Sequence, residues 1–112
     1  SEMKHIFVCA PLSGSIKDNV MRVEMAVQKL IEEYKQRGEE LPLFLVPHFA
    51  LHGISFDENY EIDREYGMQC CLEIIRIADE VVVLGDRMTG GMQREVEEAW
   101  MRDRPITRRV DL

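Results

Sequence analysis

Glu80-Val81-Val82-Val83-Leu84-Gly85-Asp86-Arg87-Met88-Thr89-Gly90-Gly91-Met92-Gln93-Arg94-Glu95 is the stretch that decides the fold. Glu80 to Leu84 reads as a strand, and its unbroken apolar run suits burial on both faces rather than one. Gly85 to Gly91 is a glycine-containing loop, and Met92 to Arg102 reads as a helix with Met92, Val96 and Ala99 toward its inner face. A two-sided strand followed by a loop and a helix is the repeating unit of a parallel α/β sheet.

The same alternation extends in both directions. His5 to Cys9 is an apolar first strand, stopped by Pro11, and Ser13-Gly14-Ser15 forms a short polar loop after it. Either Ser15 or Asp18 suits the cap of the next helix, where Val20, Val23, Val27, Leu30, Ile31 and Tyr34 recur at helical spacing and Gly38 is a stop signal. Leu43 to Val46 is a second strand ended by Pro47. Gly53, Asp57 and Asn59 mark the following stretch as an irregular connection, long enough at about a dozen residues to be a functional loop. Ile62 to Ile77 reads as a helix with Ile62, Tyr66, Cys70, Ile74 and Ile77 near one face, and Ile106 to Val110 as a last short strand after Pro105.

The order β-α-β-α-β-α-β predicts a three-layer α/β/α architecture with a short, mainly parallel sheet of four to five strands, flavodoxin- or Rossmann-like. Residues 3–112 are read as a single domain, with Ser1-Glu2 left out of the functional reading. The 112 residues carry 14 Lys+Arg against 21 Asp+Glu, a formal net charge of −7, which disfavours a nucleic-acid polymer as partner. No apolar run nears the ~20 residues of a membrane span, and the first apolar segment is too short for a secretion signal. The three cysteines, Cys9, Cys70 and Cys71, show no zinc-binding spacing. They read as reduced thiols of a cytoplasmic protein, with a redox role for the vicinal pair as the alternative. No metal and no cofactor are expected.

In such sheets ligands bind at the carboxyl ends of the strands, which selects the loops at residues 10–15, 47–59 and 85–91 and the chain end. The first offers Pro11, Ser13 and Gly14 before a helix N-terminus, either an anion-facing turn or a simply capped one. Neither a G-x-G-x-x-G nor a Walker-type pattern is present. His48 follows a strand directly and suits a ligand hydrogen bond or a satisfied position at the core margin. In the third loop Asp86, Thr89, Gly91 and Met92 surround a close backbone approach. Glu95 falls one turn into the helix and projects toward the crevice as a catalyst, or sits there as a helix-terminal carboxylate. Glu97 and Glu98 read as a solvated face. Arg102, Arg104, Arg108 and Arg109 form a basic cluster, either a charged edge strand or a contact for an anion or a subunit.

Ile6 to Gly14, Asn19, Pro47-His48, Arg64-Glu65-Tyr66-Gly67, Ala78 to Val83, and Thr89-Gly90-Gly91-Met92 with Glu95 and Ala99 occur in that order. Together they resemble the nucleoside 2-deoxyribosyltransferase-like superfamily, nearest to small phage and prophage proteins of that fold. The resemblance implies that Glu95 is the nucleophile, attacking the anomeric carbon of a 2-deoxyribosyl group to give a covalent ester that passes to water or to a second base. It implies that Thr89 and Gly91 help hold a 5′-phosphate, and that Pro11, Ser13 and Gly14 line the sugar and base pocket. It further implies a nucleoside or nucleotide as the small-molecule partner and a homodimer or higher homo-oligomer as the working unit. One position departs: the resemblance calls for an Asp eight residues before Asp79, and Cys71 stands there. Asp63, Glu65 and Asp86 are the carboxylates that remain to assist base departure. Three functions are consistent with these residues: a deoxyribosyltransferase or N-glycosidase, a nucleotide-binding module without turnover, and an interaction protein that retains the fold.

Overall fold

The computed structural model describes residues 2–12, 14–52 and 61–112. Its strands are β1 (His5–Cys9), β2 (Leu43–Leu45), β3 (Glu80–Leu84) and β4 (Ile106–Arg109). Its helices are α1 (Ile16–Gln36), α2 (Pro47–His52), α3 (Glu61–Ile77) and α4 (Gly90–Met101). The four strands form one sheet in the order β2-β1-β3-β4, and each neighbouring pair is parallel. The predicted α/β architecture with a short parallel sheet is therefore the one observed.

Strand alternation sorts the core into two layers. Ile6, Val8, Ala10, Val82 and Leu84 face α1, where Val23, Ala26, Val27 and Leu30 cover them. Phe7, Cys9, Val81 and Val83 face the other way, against Cys71, Leu72 and Ile75 of α3 and Met92 and Ala99 of α4. The central strands β1 and β3 are apolar on both faces because helices cover both. Their register is pinned at the start by Asp79, whose carboxylate accepts from the His5 N–H at 2.7 Å while the Asp79 N–H donates to the His5 carbonyl at 2.8 Å. β4, at the sheet edge, is largely exposed and carries Arg108 and Arg109.

Four details differ from the sequence reading. The connection after β2, predicted irregular, opens with the short helix α2; Pro47 suits a first helical turn because its fixed φ is already helical and it has no N–H to leave unpaired. Six residues are too few to show a helical period. α3 buries a different stripe: Gly67, Cys71, Leu72 and Ile75 point inward, with Ala78 buried just past its end, while Tyr66 and Ile77 are 63% and 66% exposed. Both stripes are apolar at helical spacing, so periodicity alone did not choose between them. Glu98 is not a solvated residue, since its carboxylate pairs with Arg76 at 3.3 Å and Arg102 at 2.9 Å. Finally, Ser15 occupies the cap position of α1, but its hydroxyl bonds to the Asp18 carboxylate rather than to the helix backbone.

Candidate functional site

The chain runs from β1 outward to β2 and then returns to the other side of β1 for β3. The strand order reverses between β1 and β3, and the carboxyl ends of these two strands form the crevice where α/β sheets take ligands. The segments that follow them, residues 10–15 and 85–89, are the loops selected from sequence.

The first loop is held from two sides. Asn19 of α1 is buried and donates from Nδ2 to the Leu12 carbonyl at 3.0 Å. His48 of α2 is only 2% exposed, and its Nε2 lies 2.9 Å from the Pro11 carbonyl. Burial pushes the His48 pKa down, so the ring is neutral, and the carbonyl as acceptor assigns the remaining proton to Nε2. His48 thus fixes the strand-end loop. Gly14 is exposed with φ +98°, a left-handed conformation that favours glycine. Ser13 lies outside the described residues, as do Gly53, Asp57 and Asn59 and the side chains of His52, Ile62 and Asp63.

The second loop leads into α4. Gly85 adopts φ +81° and is tied to the edge strand by its N–H to the Arg109 carbonyl and by Arg108 Nε to its own carbonyl, both at 2.8 Å. Thr89 caps α4, its Oγ1 accepting from the Met92 N–H at 3.2 Å. That bond uses the oxygen as acceptor and leaves the hydroxyl proton available to a ligand. Gly91 sits where α4 meets α3: a Cβ there would stand 3.1 Å from the Met68 methyl. Met92 is fully buried beneath the loop.

One turn further, Glu95 points into the layer between the sheet and α3. It is 7% exposed and makes no ion pair among the described residues. Its polar neighbours are the thiols of Cys9, at the end of β1, and Cys71, on α3, both of which favour the charged carboxylate, while the Cys9 thiol donates to the Met92 carbonyl at 3.9 Å. Loss of solvent outweighs the influence of the thiols and pushes the Glu95 pKa up to about 7. Burial, reinforced by the neighbouring carboxylate, pushes both thiols well up, so they remain protonated donors at neutral pH. A carboxylate with no counter-ion in an apolar layer is costly to keep, and such groups concentrate at functional sites.

Pro11 and Asp86 occupy the other face. Together with Ala10, Asn19, Arg22, Val23, Leu84, Gly85, Arg87, Val110 and Leu112 they line a cavity of about 380 Å³ on the α1 side of the strand ends. The structure therefore gathers Thr89, Gly91, Met92 and Glu95 on α4, places Pro11 and Asp86 at the cavity, and joins the groups through the loop that His48 and Asn19 secure. Cys9 was not read from sequence as a partner of Glu95. Its position as the last residue of β1 fixes alternation with Ala10, but which of the two meets α4 depends on helix placement. The basic residues near the chain end are used internally: Arg102 pairs with Glu98, Arg104 donates to the Arg76 carbonyl, and Arg109 pairs with Glu33 and Asp111.

A strand-end crevice at the β1/β3 switch, with a buried carboxylate on the helix that follows, is the place where parallel α/β sheets commonly take small ligands. A model of a domain of unknown function (DUF7768) matches residues 4–109, and the chain belongs to that family. No curated protein matches it. Among solved structures it is similar to a 2-deoxyribosyltransferase from the psychrotolerant bacterium Bacillus psychrosaccharolyticus. The TM-score is 0.63 at 19% identity, with 93% of this chain and 70% of that chain covered. At that identity the likeness is one of fold. Among the described residues no helix is long and apolar enough to cross a membrane, and no cluster of three His, Cys, Asp or Glu suits a metal ion.

Proposed function

We propose that the protein cleaves or transfers the N-glycosidic bond of a 2-deoxynucleoside or its 5′-monophosphate, with Glu95 as nucleophile. The observation that carries this reading is the buried, unpaired Glu95 carboxylate beside the strand-end crevice. Its support from relatives is the fold shared with a 2-deoxyribosyltransferase. In the reaction a Glu95 carboxylate oxygen forms a bond to C1′ as the C1′–N bond breaks, and the bonding pair leaves with the base. Water or a second base then displaces the ester and regenerates the carboxylate. The carboxylate also stabilises the positive charge that develops on the sugar in the oxocarbenium-like transition state.

Only ionised Glu95 attacks, so base release is expected to rise with pH through a midpoint near 7 and then level off. Thr89 and the backbone around Gly91 stand at the N-terminus of α4, which suits a 5′-phosphate, and the loop that carries Pro11, Ser13 and Gly14 in sequence, which His48 of α2 secures at Pro11, would border the sugar and base. A homo-oligomer is part of the proposal, since a second chain would close the strand-end crevice. Incubation with the common deoxynucleosides and their 5′-monophosphates, followed by chromatography, tests the reading. Free base is expected from the wild type and none from Glu95→Gln; no release from any substrate would overturn it.

A second reading follows from Cys71. Its thiol is pushed up by burial and by Glu95, and holds its proton too firmly to serve as the acid for a departing base. A nucleotide-binding module without turnover fits that feature. Calorimetry that shows tight binding, with the nucleotide recovered unchanged, would favour it.

A further inference from the structure

We infer that the cavity on the α1 face of the sheet is a second binding pocket, for a small molecule that joins an apolar body to an oxyanion, phosphate or carboxylate. Its position separates it from Glu95. The walls from β1 and β3 are Ala10 and Leu84, which face α1, whereas Glu95 packs with Cys9 on the opposite side of the same strand end. The volume of about 380 Å³ lies within the few hundred to about 1,000 Å³ usual for small-molecule sites.

The lining gives the ligand chemistry. Ala10, Val23 and Leu84 supply a buried apolar floor, Val110 and Leu112 an apolar rim, and the arginines Arg22 of α1 and Arg87 of the β3–α4 loop line the cavity as well. Among the described residues, Arg37, Arg76, Arg94, Arg102, Arg104, Arg108 and Arg109 all have hydrogen-bond or ion-pair partners within the chain. Arg22, Arg64 and Arg87 have none, and of these Arg22 and Arg87 line one cavity. Asp86 lines it as well but pairs with neither of them. On a chain of net charge −7, two uncommitted arginines meeting at one concavity select an anion. The planar, multi-donor guanidinium suits the paired oxygens of phosphate or carboxylate. Asp86 opposes such a ligand, so Asp86→Asn is expected to tighten it.

Titration calorimetry of the full chain with phenyl phosphate, benzoate, benzyl alcohol and inorganic phosphate tests the pocket. At least one ring-bearing oxyanion is expected to saturate, and the tighter of the two identifies the oxyanion. Benzyl alcohol and inorganic phosphate are expected to bind at least about 10-fold more weakly, each lacking half of the recognition. Replacing both arginines (Arg22→Gln with Arg87→Gln) should cost a further factor of about 10 or more. Both side chains are unpaired, so the thermal midpoint should hold. Glu95→Gln should leave the affinity unchanged, which separates this pocket from the proposed reaction site. Absence of saturable binding by both oxyanions would overturn the inference. So would unchanged affinity in the double arginine variant, or loss of binding in Glu95→Gln.

Discussion

Glu95 is the residue at which stability and the proposed chemistry oppose each other. Its pKa in the folded protein, about 7, lies above the ordinary carboxylate value of 4.5. The folded state therefore holds a proton that the unfolded chain releases between those two values. The stability associated with the protonated form is fully present below about pH 4.5 and is lost as pH rises through 7. The loss is on the order of 3 kcal/mol from a shift of this size. Glu95→Gln removes the titration. Chemical denaturation at pH 8 is expected to show the variant more stable than the wild type, with the difference shrinking toward pH 4. Equal pH profiles would mean that Glu95 is neither buried nor unpaired as described. Cys71 gives a second test, because Cys71→Asp places a carboxyl group where only a firmly protonated thiol stands. If the proposed chemistry holds, base release should rise by about 10-fold or more, toward the lower part of the usual general-acid effect. The position of Glu95, one turn into α4, was legible from its spacing after Thr89-Gly90-Gly91. Its two thiol partners were not, since they come from β1 and α3 and meet only when both elements pack on α4.

The elements show how the site is held in place. α4 begins at the Thr89 cap and ends in a reciprocal pair of bonds, Asp103 N–H to the Trp100 carbonyl at 3.1 Å and Arg104 N–H to the Ala99 carbonyl at 2.9 Å. Asp103 takes φ 56°, a left-handed conformation that glycine adopts more easily. Asp103→Gly is therefore expected to stabilise the protein, by about 0.5 kcal/mol after the added freedom of the unfolded chain is counted. A denaturation midpoint below that of the wild type would contradict it. At the sheet edge, Arg109 reaches Glu33 of α1 with two bonds, at 2.7 and 2.9 Å. Arg109→Gln should speed amide hydrogen exchange in β4 while leaving β1 and β3 protected; equal protection of β4 would show that the pair does not hold the edge. The long, strongly patterned elements were readable because burial on both faces of β1 and β3 leaves continuous apolar runs. α2 was not, being shorter than two helical turns, and the buried stripe of α3 was not, because Tyr66 and Ile77 form an equally apolar alternative. The choice there depends on the small Gly67 and Ala78 facing inward, which is a packing property rather than a periodic one.

At the scale of the whole molecule, the order β2-β1-β3-β4 puts the topological switch, and with it the proposed site, at the carboxyl ends of β1 and β3. Two chemically different faces meet there: Glu95 with its thiols on the α3/α4 side, and the arginine-lined cavity on the α1 side. The sequence already pointed to this end of the sheet, because strand-end loops are identifiable once the element order is known. It did not separate the two faces, because Cys9 and Ala10 adjoin in the linear reading and are divided only by strand alternation. The proposed homo-oligomer would close the strand-end crevice with a second copy of the chain. Sedimentation is expected to show self-association, and a strictly monomeric profile would contradict it. The central claim is that Glu95 is the group that bonds to the sugar. Rapid acid quench during turnover of a deoxynucleoside or its 5′-monophosphate, followed by proteolysis and mass spectrometry, tests it most directly. A deoxyribosyl ester on the Glu95 peptide, absent in Glu95→Gln, is the predicted result. Base release with the adduct on another residue, or with the Glu95→Gln variant still active, would contradict it.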